Sequence, residues 1–208
     1  DVNWAAFAPD GSTSTLAVKN YFAVSAPAET TMLAFHLPQN AGAIASDASG
    51  KANHGAIQGT PAWTNGKFDY GLNVNSGTYV TVSDRNSLDL SDQLSMEGWF
   101  KWDGTSYDGY GIHKGNAYSL QVVNGSGHPA ARVYVDGQWR EAVADQALTS
   151  GVWHHVAMTY SAVAQEIKLY LNGVLNQTTV LPAGLNTYEI NNSANALAIG
   201  RDASSSSH

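Results

Sequence analysis

Gly151-Val152-Trp153-His154-His155-Val156-Ala157-Met158-Thr159-Tyr160 is followed shortly by Lys168-Leu169-Tyr170-Leu171-Asn172-Gly173. Both pieces alternate apolar and polar side chains, the pattern of a strand buried on one face only. The Asn-Gly pair that closes the second piece suits a two-residue turn with positive φ at both positions, so it marks a tight hairpin. Two strands and a hairpin turn in so short a span point to an all-β fold.

Working outward, the same signature recurs at 79–82, 94–102, 118–122, 131–135, 139–143, 176–181 and 196–199, with Asp136-Gly137 as a second tight turn. Short strands at regular spacing, divided by turn residues, predict a two-sheet antiparallel β-sandwich. No segment carries a helical period and no internal repeat is present. Within 94–102, Leu94, Met96, Gly98 and Phe100 share one face, and Ser95, Glu97, Trp99 and Lys101 share the other. Leu94, Met96, Phe100, Val156, Met158, Leu169 and Leu171 form the expected core. Residues 38–59 read as a long polar loop. Residues 1–31 read as a linker or lead-in that adds an edge strand near Tyr21 to Val24, and 32–208 as the sandwich domain.

Bulk chemistry narrows the function. Charged residues are only 13% of the 208, so the surface rests largely on neutral polar groups, which suits contact with glycan hydroxyls. The net charge of −7, without a basic cluster, argues against nucleic acid as a partner. There is no cysteine, so neither disulfides nor thiol chemistry contribute. No run of 18 apolar residues exists, and membrane insertion is not expected. The opening Asp1-Val2-Asn3 reads as a processed or excised start, and the chain is expected to be part of a larger exported bacterial protein, secreted or held at the cell surface.

Several further pieces occur in a fixed order: Leu33-x-Phe35-x-Leu37-Pro38, Asp47-x-Ser49-Gly50-x-x-Asn53-His54-Gly55, Gly66-Lys67-Phe68, Tyr79-Val80-x-Val82, Leu88-x-Leu90, Met96-Glu97-Gly98-Trp99-Phe100, Trp153-His154-His155-Val156-Ala157, Tyr170-x-Asn172-Gly173 and Leu197-x-Ile199-Gly200-Arg201. Together they resemble the laminin-G-like, concanavalin A-like lectin/glucanase jelly rolls over residues 32–203. The resemblance implies a jelly-roll sandwich acting as a recognition or adhesion module. It also implies one more strand, of the form Phe-x-Gly-x-Ile-Asp-Glu-Val, after Arg201. This chain instead runs into Ser204 to Ser207 and His208. The expected occupant of that slot is a complementing C-terminal strand of separate origin, or the segment from Tyr21 to Val24.

Two constellations could bind. Asp47, Ser49 and Asn53 put a carboxylate, a hydroxyl and an amide on one glycine-bearing loop, oxygen donors of the kind a hard cation takes. The resemblance implies a structural calcium ion near this loop. Trp99, Trp102, Tyr107, Tyr110 and Trp139 supply rings for stacking on sugar faces, and Asn, Asp and Gln nearby could fix hydroxyls. The seven histidines have no zinc-ligand spacing, and His154 and His155 point to opposite faces of one strand. Glu97 has no acid at i+2 or i+4, and no Gly-x-Ser-x-Gly elbow occurs, so no catalytic set is expected. The favoured partner is a carbohydrate or cell-surface glycan. A protein-binding or structural adhesion module without a glycan site stays open as an alternative. So does an accessory domain of a polysaccharide-degrading enzyme.

Overall fold

A computed structural model describes residues 30–37, 40–74, 77–104, 109–123 and 125–203. The expected lead-in and the expected complementing strand near Tyr21 fall outside these residues. The strands are β1 (Ile44–Ala45), β2 (Gly55–Gln58), β3 (Trp63–Asn65), β4 (Tyr70–Leu72), β5 (Tyr79–Val82), β6 (Gln93–Lys101) and β7 (Gly109–Lys114). They continue with β8 (Tyr118–Val123), β9 (His128–Val135), β10 (Gln138–Val143), β11 (Trp153–Ser161), β12 (Glu166–Leu171), β13 (Val174–Val180) and β14 (Leu197–Ile199). One turn of 3-10 helix, Asn86–Leu88, lies between β5 and β6.

The strands form an eight-stranded sheet in the order β1-β2-β5-β14-β7-β8-β9-β10, a four-stranded sheet β13-β12-β11-β6, and the small hairpin β3-β4. All pairings are antiparallel. The expected β-sandwich is therefore the observed fold. The β12–β13 hairpin turns at Asn172 and Gly173, with φ of 51° and 82° as the Asn-Gly pair requires. The last strand, β14, is not at an edge; it sits between β5 and β7.

Alternation then fills the core. Leu94, Met96, Val156, Met158, Tyr160, Ile167 and Leu169 of the smaller sheet meet Val82, Tyr118, Leu120, Val133, Val135, Ala142 and Leu197 of the larger. Each such aliphatic side chain contributes about 1.5–3 kcal/mol by leaving water. Phe100 and Leu171, expected in the core, are only partly buried and pack at its margin. A second, smaller cluster of Ala45, Ile57 and Val80 is covered by Phe35, Leu37, Trp63 and Leu72. It exists because β1 and β2 lie inside 38–59, which the sequence reading took for loop. Those strands are too short to display a period.

Candidate functional site

The outward face of the eight-stranded sheet carries a cluster of aromatic, charged and polar side chains. Its geometry starts with an irregularity in β7. Tyr110 and Ile112 are two residues apart and would share a face in a regular strand. The register shifts between them, so Tyr110 lies opposite Gln121 while Ile112 lies opposite Leu120. The bulge at Gly111 thus turns the Tyr110 ring outward, a use bulges often serve near functional sites. Only glycine fits there. A Cβ on Gly111 would come within 2.8 Å of both the Leu120 carbonyl oxygen and the Phe100 ring.

Around Tyr110 the rings form a chain. Its ring meets His113 edge-on with centroids 5.1 Å apart, His113 lies 6.0 Å from Trp139, and Trp139 lies 5.4 Å from Tyr134. The Arg132 guanidinium sits 5.0 Å from the Trp139 ring centre, and its Nε lies 3.1 Å from Glu141 Oε2. The register explains the grouping: Trp139 pairs with Tyr134, Glu141 with Arg132, and Ser119 with Arg132 from the other side. Ser119 and Gln121 are buried although alternation points them away from the core, and the serine hydroxyl donates to Gln121 Oε1 at 2.9 Å. Tyr110, Tyr134, Arg132 and Trp139 are half-buried, and Glu141 is exposed.

His113 is the electrostatic centre of this face. Burial holds its pKa below the usual histidine value; Asp202 opposes that shift and Arg132 reinforces it. Its Nδ1 accepts the Ala203 N–H at 2.9 Å, which requires that nitrogen to be unprotonated. Asp202 Oδ1, 3.3 Å from the same atom, is therefore a neighbour of a neutral ring and not the partner of an imidazolium.

The five aromatic candidates do not form one site. Tyr110 and Trp139 come together as described. Trp99 lies on the outer face of the four-stranded sheet, on the opposite side of the sandwich. There it meets Phe68 edge-on at 5.8 Å and His155 at 5.3 Å, with Lys67 Nζ 4.7 Å above its ring. Crowded in this way, Trp99 pins the β3–β4 turn to the sheet. Trp102 shares the parity of Phe100 and packs against the core. A Cβ on Gly127 would meet its ring at 2.6 Å, so Trp102 is seated against backbone. Trp102 thus packs at the core margin, apart from the chain of rings that holds Tyr110 and Trp139. Tyr107 lies outside the described residues. Sequence reasoning missed His113, Arg132, Tyr134 and Glu141, of which the last three were legible as the partners that the Asp136-Gly137 hairpin places beside Trp139. A separate cleft of about 450 Å³ lies between residues 146–149 and the β12–β13 hairpin, lined by His154, Asn172, Val174 and Asn176 among others.

A family model described as the concanavalin A-like lectin/glucanases superfamily matches residues 74–208. The chain belongs to this superfamily. No curated protein matches it. Among solved structures, this lectin-like domain is similar to domain 4 of AbnA, a GH43 extracellular arabinanase from Geobacillus stearothermophilus, in complex with arabinotriose. The TM-score is 0.57 at 20% identity, covering 76% of this chain and 78% of that one. The botulinum neurotoxin serotype G binding domain gives 0.57 at 13%, covering 78% and 42%. A GH54 α-L-arabinofuranosidase soaked with a cyclic sulfate inhibitor gives 0.53 at 14%, covering 79% and 44%. The lectin-like domain thus spans less than half the length of the last two. At such identities these likenesses establish the fold.

The calcium ion that the resemblance implied can be tested against the loop of the lectin-like domain. Asp47, Ser49 and Asn53 are brought together, but as a hydrogen-bonded turn. Asp47 Oδ1 accepts from Ala34 N and Ser49 N, each at 2.9 Å; Oδ2 accepts from Ser49 Oγ at 2.7 Å and Asn53 N at 2.9 Å. Burial raises the Asp47 pKa, and these hydrogen bonds outweigh it, leaving the pKa lowered. The Asn53 amide is buried and spans Met32 O and Ser87 Oγ. Among the described residues no group of three or more acidic or histidine side chains clusters to hold a metal. With both carboxylate oxygens already met by N–H and O–H donors, the donor set does not fit a calcium ion. The loop is held as an Asx-type turn.

Proposed function

We propose that this domain is a non-catalytic carbohydrate-recognition module of a secreted or cell-surface protein. Its ligand face is the outer side of the eight-stranded sheet, around Tyr110 and Trp139. The observation that carries the reading is the Gly111 bulge, which turns a tyrosine out of the sandwich to join Trp139. Rings of this kind present apolar faces to the C–H side of a sugar ring, while Arg132 and Glu141 offer hydrogen-bonding groups at their edges. Membership of a lectin/glucanase superfamily supports it, as does the complex of AbnA domain 4 with arabinotriose. The Glu141 carboxylate on this face is ion-paired with Arg132 at 3.1 Å, which favours recognition over acid–base chemistry.

The test is a screen of the domain against a glycan array and soluble plant, bacterial and animal polysaccharides, followed by calorimetry on any hit. Binding should weaken tenfold or more in Trp139→Ala, about 1.4 kcal/mol, with little change in melting temperature. Retention of a protein partner with no glycan bound anywhere in the screen would favour the adhesion alternative.

A further inference from the structure

The cleft between residues 146–149 and the β12–β13 hairpin holds about 450 Å³, within the range of about 300–1,000 Å³ that small-molecule pockets occupy. One wall follows β10 of the larger sheet, and the other belongs to the smaller sheet. The first wall is fastened along its length. Ala144 N–H donates to Pro129 O at 2.9 Å, Leu148 N–H to Gly127 O at 2.8 Å and Gly151 N–H to Trp102 O at 2.8 Å. The second wall is tied to the first by a bulge. The register of β12 against β13 skips Asn176, and the Asn176 Oδ1 accepts Asp145 N–H at 3.1 Å. The cleft is thus formed before anything enters it.

His154 and Asn172 meet in this cleft with one donor too many. His154 shares the parity of Val156 and points between the sheets. Its Nε2 accepts the Thr149 N–H at 3.1 Å. A backbone N–H cannot be reversed, so in the neutral ring the proton sits on Nδ1. Nδ1 faces Asn172 Nδ2 at 3.3 Å. The Asn172 amide is itself oriented, because its Oδ1 accepts the His155 N–H at 3.0 Å. Two N–H donors therefore face each other, and an oxygen with two lone pairs placed between them would satisfy both.

The surroundings select the kind of oxygen. None of the described residues lining the cleft is Lys, Arg, Asp or Glu. The nearby Asp145 carboxylate accepts from Gln177, and the chain carries a net charge of −7, so an anion is disfavoured. Val174 and Leu175 line the same cleft and are 68% and 50% exposed, an apolar surface beside the two donors. A sugar hydroxyl brings no apolar group to cover them. A carbonyl bearing a methyl brings both parts. An added peptide strand is disfavoured, because the skipped Asn176 breaks the regular spacing of backbone groups along β13, the edge strand.

We propose that this cleft binds the acetamido group of an N-acetylated sugar. The carbonyl oxygen accepts from His154 Nδ1–H and Asn172 Nδ2–H, and the methyl lies on Val174 and Leu175. The proposal uses none of the residues around Tyr110 and Trp139 and stands whether or not that face binds glycan.

The experiment titrates the protein with the methyl glycosides of N-acetylglucosamine and N-acetylgalactosamine, and with those of glucose and galactose as controls without the acetamido group. Amide NMR spectra locate the binding, and a short acetylated peptide is the third arm. At least one acetylated sugar should bind tenfold or more tighter than its control, with shifts at residues 146–149, 154 and 172–176. Asn172→Asp keeps an acceptor for the His155 N–H, suits an Asp-Gly turn and replaces the second donor with an acceptor. It should lose fivefold or more in affinity at nearly unchanged melting temperature. Leu175→Ser, at an exposed position, should weaken binding likewise. Binding of neither acetylated sugar at millimolar concentration would overturn the proposal. So would equal binding of the controls, shifts confined to the Tyr110–Trp139 face, wild-type affinity in Asn172→Asp, or tighter binding of the peptide than of either sugar.

Discussion

Single residues set the site and its response to pH. Gly111→Ala should cost about 2 kcal/mol or more, because the new methyl meets backbone and an aromatic ring at once. It should also displace Tyr110, so glycan affinity should fall further than the stability loss explains; chemical denaturation and calorimetry on the same protein separate the two. His36 and His113 both have pKa values lowered chiefly by burial. A histidine depressed in the folded state binds its proton more readily when unfolded, so stability is intact above the unfolded value and falls as pH drops below about 6.5. Asp47, also depressed, adds a second loss, beginning below about pH 4 and continuing through its folded value. Melting temperature against pH should therefore fall in two stages, and His113→Gln should flatten the first. Residue identity was only partly legible. Trp102 could have been assigned to packing from its parity with Phe100. Tyr110 could not have been assigned outward from parity, because its orientation depends on a bulge that no local pattern announces.

Elements were legible where they are long. β6 and β11 pair over nine residues, from Trp153 opposite Lys101 to Ser161 opposite Gln93. Their alternation named Leu94, Met96, Val156 and Met158 correctly as core. Met158 is 1% exposed, so Met158→Asp should cost about 4 kcal/mol or more by burying an unpaired charge, or prevent folding. Equilibrium unfolding in urea measures it, and a loss under 1 kcal/mol would place that side chain outside the core. β7 escaped notice because Gly109-Tyr110-Gly111 has the composition of a loop; its flanking β14 and β8, not its own propensity, hold it extended. β1 to β4 escaped because they are short and set among Gly, Asn and Ser, so their neighbours specify them, here the small cluster around Ile57 and Val80; the equally short Tyr79–Val82 showed through its β-branched content.

At the scale of the whole molecule, the sandwich separates aromatic groups that look contiguous along the chain. Trp99 faces out from the four-stranded sheet, whereas Tyr110 and Trp139 face out from the eight-stranded one. The fold was readable because many weak motifs in order describe one topology; the ligand face was not, because facing depends on which sheet each strand joins. The most direct test of the glycan reading compares three variants, Tyr110→Ala, Trp139→Ala and Trp99→Ala, in calorimetric titration with the best polysaccharide from the screen, with melting temperatures measured alongside. The account predicts that the first two lose tenfold or more in affinity while remaining folded, and that Trp99→Ala lowers the melting temperature with affinity nearly unchanged. Loss of binding in Trp99→Ala, with wild-type affinity in Trp139→Ala and Tyr110→Ala, would place the ligand on the other sheet and contradict it.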